Sequence, residues 1–209
     1  MSTRPARVHP TAIVEPDVRI GEGTAIWDGV HLRRGAQVGC DCILGEKTYV
    51  AYDVRIGNLV KINAHVYVCA GVTIEDGCMV AAHVVFTNDL TPRATDPELA
   101  ALLPSEPGPS TRTTVVHRGA SIGANATIGP GLELGAFCMV GMGAVVTRSV
   151  PPHGLVVGNP ARLVGLVSRN GSRLWEAPPD GTLPSDGTEL PCPDGGRLAI
   201  LDGCPTWVP

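Results

Sequence analysis

The segment VVFTNDLTPR, residues 84–93, contains an amide and a carboxylate in succession, Asn88 and Asp89. An amide can both donate and accept hydrogen bonds, so a side chain of this type can bind and orient a reacting group. Asn88 is therefore a candidate catalytic residue. The alternative is that Asn88 caps a chain reversal, as Asn does in many turns. Asp89 is more typical of such a turn, and it is also a candidate for substrate contact.

Two histidines, His65 and His83, are 18 residues apart, and Lys47 precedes His65 by the same interval. A positioned histidine can act as general base toward an alcohol or an amine. The alternative is a surface ladder of polar residues. His83 is the second catalytic candidate because it lies close to Asn88 in the chain.

A six-residue period runs through the part of the chain that must position these side chains. Every sixth residue from Val8 to Val80 is aliphatic, the next is Phe86, and the residue two before each is small or β-branched. A period of six is neither helical nor a simple strand alternation. It is typical of a solenoid whose short strands meet at tight corners and whose stacked coils bury one another's inward residues. The aliphatic positions are Val8, Val14, Ile20, Ile26, Leu32, Val38, Leu44, Val50, Ile56, Ile62, Val68, Ile74 and Val80.

The period stops at residues 88–113 and resumes at Val116, thirty residues after Phe86. Thirty is a multiple of six, so the same solenoid is expected to continue after an inserted loop. That loop contains five prolines, and a structureless excursion of this length is usually functional or disordered. We therefore expect an N-terminal lead at 1–7, a solenoid domain at 8–165 and a C-terminal extension at 166–209. A short helix is one option after residue 150, and the proline-rich end is expected to be extended or partly disordered.

Composition excludes several classes of protein. The net charge of −4 gives no reason to expect nucleic-acid binding. No run approaches 18 apolar residues and no signal-peptide pattern is present, so a cytoplasmic protein without membrane contact is the default. Three of the seven cysteines, Cys42, Cys78 and Cys138, share the small inward position and are expected to be reduced core residues. Cys192 and Cys204 hint at a zinc knuckle, but a closed zinc site needs four ligands, so no metal is expected.

Hexads of the form [LIV]-G-x-x-[small]-x, such as those starting at Ile20-Gly21 and Ile56-Gly57, resemble those of the hexapeptide-repeat acyltransferases. The resemblance covers about residues 8–165. It implies an all-β fold, a left-handed parallel β-helix in which three hexads make one 18-residue coil of triangular section. In such a coil, His65 and His83 would stack on one corner.

Three stretches resemble a subgroup of that family, the N-acyltransferases acting on the 3-amino group of nucleotide-linked amino sugars. They are Ile26-Trp27 with His31, Phe86-Thr87-Asn88-Asp89 with Pro92-Arg93, and Gly158-Asn159-Pro160-Ala161-Arg162. Residues 165–171 and the Cys-Pro tail look closest to enzymes that acetylate UDP-2-acetamido-3-amino-2,3-dideoxy-glucuronate. Enzymes for dTDP-linked 3-amino-3,6-dideoxyhexoses share the Phe86 junction. The resemblance implies acetyl-CoA as co-substrate and a homotrimer with its sites between subunits.

For the sugar nucleotide, Trp27 and His31 match the subgroup's acceptor motif, and Glu46 could bind a sugar hydroxyl. A diphosphate or a uronate needs cations. Those available near the expected cleft are Arg33, Arg34, Lys61 and Arg93. One departure, Cys69-Ala70 where the subgroup has an aromatic residue and Asp, leaves the identity of the sugar open.

For CoA, small residues on the upper coils would let the pantetheine arm approach the backbone, although coil corners favour small residues in any case. These residues are Gly123, Ala124, Gly141 and Gly143. Asn159 and Arg162 match the family's segment near the nucleotide end of CoA, where Arg162 could pair with a phosphate.

No base is essential to this chemistry, because a neutral sugar amine is a good nucleophile and the departing thiolate can take the proton. Positioning would then supply most of the rate, as is proposed for the resembling subgroup. In that subgroup the asparagine that matches Asn88 lies beside the thioester and the incoming amine, where it can accept from the amine N–H or donate to the thioester oxygen. Two alternatives remain open: transfer to a hydroxyl or of another acyl group with His83 as base, and a non-catalytic β-helix scaffold. A γ-type carbonic anhydrase would need three histidines around a metal, a spacing that this chain does not match.

Overall fold

A computed structural model describes residues 4–209 as a parallel β-helix followed by a C-terminal extension of antiparallel strands. No helix occurs in this range, so the short helix considered after residue 150 is wrong. The strands, in chain order, are β1 Arg7–Val8, β2 Ile13–Val14, β3 Arg19–Ile20, β4 Ala25–Ile26, β5 His31–Leu32, β6 Gln37–Val38, β7 Ile43–Leu44, β8 Tyr49–Val50, β9 Arg55–Ile56, β10 Lys61–Ile62, β11 Tyr67–Val68, β12 Val72–Ile74, β13 Met79–Val80, β14 Val85–Phe86, β15 Thr114–Val116, β16 Ser121–Ile122, β17 Thr127–Ile128, β18 Glu133–Leu134, β19 Met139–Val140, β20 Val145–Val146, β21 Gly154–Val157, β22 Arg162–Val167, β23 Arg173–Glu176, β24 Glu189–Pro191, β25 Arg197–Leu201 and β26 Cys204–Val208.

The solenoid has three parallel faces. Face A is β1-β4-β7-β10-β13-β16-β19-β21, face B is β2-β5-β8-β11-β14-β17-β20, and face C is β3-β6-β9-β12-β15-β18. Register advances by 18 residues per coil, as in the pairing of Lys61 with Met79 and of Tyr49 with Tyr67. The strand order confirms the all-β parallel solenoid that the period predicts, and the family match supports the left-handed β-helix that the resemblance implies.

The predicted inward positions form one continuous core. Leu32, Leu44 and Ile62 are fully buried, and Cys42, Cys78 and Cys138 are buried free thiols, as expected. Val8 and Val14 are 43% and 41% exposed because no coil lies below the first one in the described chain. The lowest coil therefore stacks on one neighbour only, the coil above it, whereas inner coils stack on two.

The corners are made by residues with positive φ. At the corner between faces A and B, Lys47, His65 and His83 have φ of 56°, 59° and 61°. Each donates its backbone N–H to the coil below; the His83 N–H, for example, bonds to the Ala64 carbonyl at 3.1 Å. Such left-handed geometry is uncommon outside glycine, and His is among the residues enriched there. The backbone conformation at this corner therefore helps to explain why histidines occur there, apart from any chemistry of their side chains.

The inserted loop leaves the solenoid between faces B and C. It starts after β14 and returns at β15, and the Arg112 N–H donates to the Asn88 carbonyl at 2.9 Å, so the two ends of the loop are joined. Because β14 belongs to face B and β15 to face C, the loop replaces a corner without shifting the phase of the solenoid.

The C-terminal extension is more ordered than its composition predicts. Strands β22 and β23 extend face A as an antiparallel hairpin, and β24, β25 and β26 form a separate antiparallel sheet. Leu166, Leu198 and Ile200 are fully buried together, so this part of the end is packed, whereas residues 177–188 between β23 and β24 form no strand. Cys192 lies beside the start of β25 and Cys204 pairs with its last residue, which separates the two thiols of the suspected zinc knuckle.

We expect the seven cysteines to divide by burial in a thiol-reactivity assay. Cys40 and Cys204 are exposed, whereas burial raises the pKa of Cys69, Cys78 and Cys138 to about 12. Because the thiolate is the reactive form, Ellman's reagent should titrate the two exposed thiols quickly and all seven only in denaturant. Fast reaction of four or more thiols in the native protein would contradict this burial pattern.

Candidate active site

The insertion and the corner between faces B and C enclose a cavity of about 410 Å³. Its solenoid wall consists of tyrosines and small residues, and its outer wall is the proline-rich part of the insertion. Its lining includes Tyr49, Tyr52, Tyr67, Ala70, Asn88, Asp89 and Arg93. This cavity therefore adjoins the point where the six-residue period breaks.

Asn88 is held firmly at the cavity edge by its neighbours. Phe86, two residues earlier, is 1% exposed in the core, and Asn88 Nδ2 donates to the Ala70 carbonyl at 3.0 Å. No group within residues 4–209 donates to Asn88 Oδ1, so that oxygen is free to accept a hydrogen bond. The structure thus favours the acceptor role of the amide over the donor role.

Asp89 and Arg93 also line the cavity. Asp89 Oδ1 accepts the Thr91 N–H at 2.8 Å, which is the turn that its sequence position predicts. Arg93 Nη1 donates to the adjacent Pro92 carbonyl at 2.9 Å and leaves the rest of its guanidinium for an anion. The departure Cys69-Ala70 lies behind this site, where burial keeps the Cys69 thiol protonated.

The aromatic wall was missed at the sequence level. Tyr49 and Tyr67 are outward residues of face B and stack with ring centroids 5.2 Å apart and planes 6° from parallel. His31, one coil lower, meets Tyr49 edge-on at 5.4 Å. The signal for this stacking is present in the sequence, because His31, Tyr49 and Tyr67 are spaced 18 residues apart at outward positions.

Arg33 supports this wall from below. Its Nη1 donates to the Tyr49 hydroxyl at 2.6 Å, its Nη2 contacts the Tyr52 hydroxyl, and its guanidinium lies 4.1 Å from the centre of the Tyr52 ring. Glu15 pairs with Arg33, with 2.6 Å between Glu15 Oε1 and Arg33 Nε. The Arg34 backbone N–H and then the Arg33 side chain lower the pKa of Glu15 to about 2, so Glu15 is ionised at neutral pH.

His83 lies at a different corner from Asn88. It stacks on His65 with centroids 5.0 Å apart and planes 3° from parallel, and Lys47 occupies the same column one coil lower, as predicted. Strand β14 separates His83 from Asn88, and His83 does not line the cavity. One chain alone therefore does not bring the two predicted catalytic residues together.

The predicted CoA residues lie above His83 on the same corner. The Asn125 N–H bonds to the Ala82 carbonyl at 3.0 Å, and the Gly143 N–H bonds to the Ala124 carbonyl at 2.8 Å. A Cβ on Gly123 would lie 2.5 Å from the Met142 nitrogen, and one on Gly141 would lie 2.7 Å from Val157 Cγ1. Coil packing alone accounts for these two glycines, whereas Gly143 faces open space.

Asn159 lies in the exposed turn between β21 and β22, and Arg162 starts β22. The turn bonds to the top of face B, where the Ala161 N–H donates to the Val145 carbonyl at 2.8 Å. Arg162 and Arg148 line a small cavity of about 190 Å³ beside it, together with the carboxylate of Asp180, so two guanidinium groups and one carboxylate share this space.

Three predicted acceptor residues lie away from the cavity. Trp27 is 51% exposed beside the first coil, Glu46 is exposed at the corner between faces A and B, and Lys61 points outward from face A. The structure groups Asp89 and Arg93 with Asn88, and His31 with the aromatic wall. No cluster of three metal-ligating side chains is found in residues 4–209, and no helix there could span a membrane.

Comparisons with known proteins agree with the repeat and the fold. The family model of the bacterial transferase hexapeptide (six repeats) matches residues 53–88, and that of the hexapeptide repeat of succinyl-transferase matches residues 118–148. An N-acyltransferase from Bacillus cereus, AntD, solved as a variant in complex with dTDP and coenzyme A, superposes with a TM-score of 0.53. It is 18% identical and the match covers 79% of this chain and 84% of that one, which supports the fold alone. The repeat and the fold define a hexapeptide-repeat transferase.

Proteins with similar sequences indicate which kind of hexapeptide-repeat transferase this chain resembles. The dTDP-3-amino-3,6-dideoxy-alpha-D-galactopyranose 3-N-acetyltransferase of Aneurinibacillus thermoaerophilus is 41% identical over 168 residues, 80% of this chain and 81% of that protein. The bifunctional protein GlmU of Rubrobacter xylanophilus is 26% identical over 77% of this chain but only 42% of its own length. This chain belongs to the hexapeptide-repeat nucleotide-sugar N-acetyltransferase family.

Proposed function

We propose that the protein transfers an acetyl group from acetyl-CoA to the 3-amino group of a nucleotide-linked hexose. The observation that carries this proposal is the cavity at Asn88, in which a free amide oxygen lies beside an aromatic wall suited to a sugar ring. The 41% identical relative, whose name states this reaction for a dTDP-linked sugar, supports it.

Asn88 Oδ1 would accept an N–H of the neutral sugar amine and aim the nitrogen lone pair at the thioester carbonyl. The C–N bond forms as the amine attacks, and the C–S bond breaks as the tetrahedral intermediate collapses. The proton lost from nitrogen goes to the departing thiolate, which leaves as CoA-SH. Orientation rather than proton abstraction would supply most of the rate.

We place the nucleotide sugar in the cavity, where Arg93 can pair with the diphosphate and Asp89 can contact the sugar. The CoA arm would run along the upper corner between faces A and B, with Gly143, Asn159 and Arg162 at its nucleotide end. Gly123, Ala124 and Gly141 would form the floor of that path. Trp27, Glu46 and Lys61 could contact the same substrate only across a subunit boundary.

A homotrimer in the cytoplasm is the assembly we propose. His83 and the upper corner lie on one side of strand β14, and the cavity lies on the other. A neighbouring subunit's corner would have to face the cavity for both sets of residues to serve one reaction. Sedimentation equilibrium tests this assembly directly, and a monomer that is active at nanomolar concentration would rule it out.

The activity is tested by release of free thiol from acetyl-CoA with a panel of UDP- and dTDP-linked 3-amino sugars, including a 3-amino-glucuronate and a 3-amino-3,6-dideoxyhexose. We expect turnover with at least one amine and none with the matching 3-hydroxy sugars. Protein thiols must be subtracted, since Cys40 and Cys204 are exposed. Turnover with alcohols only would instead favour O-acyl transfer with His83 as base.

A further inference from the structure

We propose that Glu15 is a positioning residue for the acceptor sugar, acting through Arg33 on the tyrosines that line the cavity. The inference rests on the proposed function and assigns the recognition of the acceptor's oxygen atoms to this part of face B. Glu15 itself is not among the cavity-lining residues, so its effect must pass through its neighbours.

The placement of the tyrosines is the first observation. The whole chain has three tyrosines and only 4% aromatic residues, and all three tyrosines, Tyr49, Tyr52 and Tyr67, line this one cavity. The coil needs no aromatic residue at these positions, since Val85 and Thr127 occupy the same outward column above Tyr67. The tyrosines are therefore better explained by what the cavity binds than by packing of the solenoid.

The direction of the hydrogen bonds is the second observation. Arg33 has only donors, so its contacts with Tyr49 and Tyr52 use the lone pairs of the phenol oxygens. Each phenol proton must then point elsewhere. Two O–H donors of fixed position beside an open cavity suit an acceptor rich in hydroxyl and ether oxygens, which is the chemistry of a hexose.

The third observation is how Glu15 holds Arg33. Oε1 of Glu15 lies 2.6 Å from Arg33 Nε and 2.9 Å from His31 Nε2, and Oε2 accepts the Arg34 N–H at 2.9 Å. The side chains of Glu15 and Arg33 are each only about a quarter exposed, at 25% and 24%. Arg33 Nε makes no hydrogen bond within residues 4–209, so the carboxylate, whose Oε2 is tied to the backbone of the next coil, holds the guanidinium by the ion pair. The guanidinium in turn contacts two phenols.

Glu75 supplies a matched control on another part of the solenoid. Its Oε1 lies 3.2 Å from His117 Nδ1 and its Oε2 accepts the Arg118 N–H at 2.9 Å, which repeats the bonds of Glu15 to a histidine and to a backbone amide. Glu75 contacts no tyrosine and does not line the cavity. Glu75→Gln should therefore show how much stability is lost when a carboxylate in such contacts is removed, without affecting the tyrosines.

The first test uses protein labelled with [13C]tyrosine, whose spectrum reports only on this wall because the chain has no other tyrosine. We expect Glu15→Gln to shift the ring signals of Tyr49 and Tyr52, and Glu75→Gln to leave all three tyrosines unchanged. Unchanged tyrosine signals in folded Glu15→Gln protein would show that no such coupling exists.

The second test is a split of kinetic constants. Glu15→Gln should raise KM for the amino sugar nucleotide about tenfold, while KM for acetyl-CoA and kcat change less than about twofold. Arg33→Lys should raise the same KM by a similar factor, because a lysine cannot contact both phenol oxygens at once. Equal changes in both KM values, or an effect no larger than that of Glu75→Gln, would overturn the positioning role.

Failure of the proposed function is distinguishable from failure of the positioning role, because wild-type protein would then release no thiol with any amino sugar. The tyrosine spectrum titrated with UDP-glucose and dTDP-glucose, which carry a hexose, would still decide the inference. Shifts in the wild type and in Glu75→Gln that are weakened in Glu15→Gln support it, and equal behaviour of all three proteins refutes it.

Discussion

Asn88→Ala should lower kcat about 100-fold while leaving KM for acetyl-CoA nearly unchanged. The alanine removes Oδ1, the free oxygen at the cavity edge, and with it the hydrogen bond that we propose orients the attacking amine. It also removes the bond from Nδ2 to the Ala70 carbonyl that holds the side chain in place. Steady-state kinetics with the amino sugar found active in the panel measure the effect.

Two further variants show whether this loss is specific. Asn58 is a coil-corner asparagine whose Oδ1 accepts the Cys40 N–H at 2.8 Å. It lies at the corner between faces C and A and does not line the cavity. Asn58→Ala should retain activity within about threefold. His83→Ala should also stay within about threefold, because transfer to an amine needs no separate base. A large loss in His83→Ala with a small one in Asn88→Ala would identify a histidine-base mechanism instead.

Phe86→Ala should destabilise the protein by about 3–5 kcal/mol. Phe86 is the largest fully buried side chain of the solenoid and occupies the last inward position before the insertion. Its removal leaves a void that the stacked coils cannot close, since neighbouring strands hold the backbone on both sides through β11 and β17. Urea denaturation at one fixed protein concentration gives the difference in free energy of unfolding.

Phe86→Leu is the matched variant, because it keeps most of the apolar volume and should cost less than about 1.5 kcal/mol. Phe86→Ala should also reduce turnover at temperatures where it remains folded, since Asn88 follows it by two residues and depends on the end of β14 for its position. A loss of stability below about 1 kcal/mol in Phe86→Ala would mean that this strand is not part of the cooperative core.

Much of the fold could be predicted because a solenoid converts sequence intervals into contacts. The family resemblance implies an 18-residue coil, and with that length the stacking of His65 on His83 follows from counting, as the structure confirms. The multiple of six between Phe86 and Val116 likewise predicted that the solenoid resumes in phase, and the structure places the insertion at a corner. Local repetition of this kind needs no knowledge of distant contacts.

The structure of the C-terminal extension could not be predicted from residue intervals, because this part of the chain has no repeat. Its prolines and glycines predicted an extended chain, yet Leu198 and Ile200 are buried against Leu166 of the preceding hairpin. Arg169 also lies between two aromatic rings, 5.2 Å from the centre of Phe137 in the solenoid and 4.2 Å from that of Trp207 in the last strand. These contacts join segments that share no sequence repeat, so no periodic pattern in the sequence predicts them.

The amino-acid sequence by itself determined the coil, its inward residues and the site of its interruption, because stacked coils constrain every sixth residue in the same way. Only the tertiary structure decided which polar residues share a site. It placed Asn88 with the three tyrosines and Arg93, and it left His83 at another corner. The physical reason is that the insertion obeys no repeat, and its path over face B, rather than any spacing in the chain, encloses the cavity.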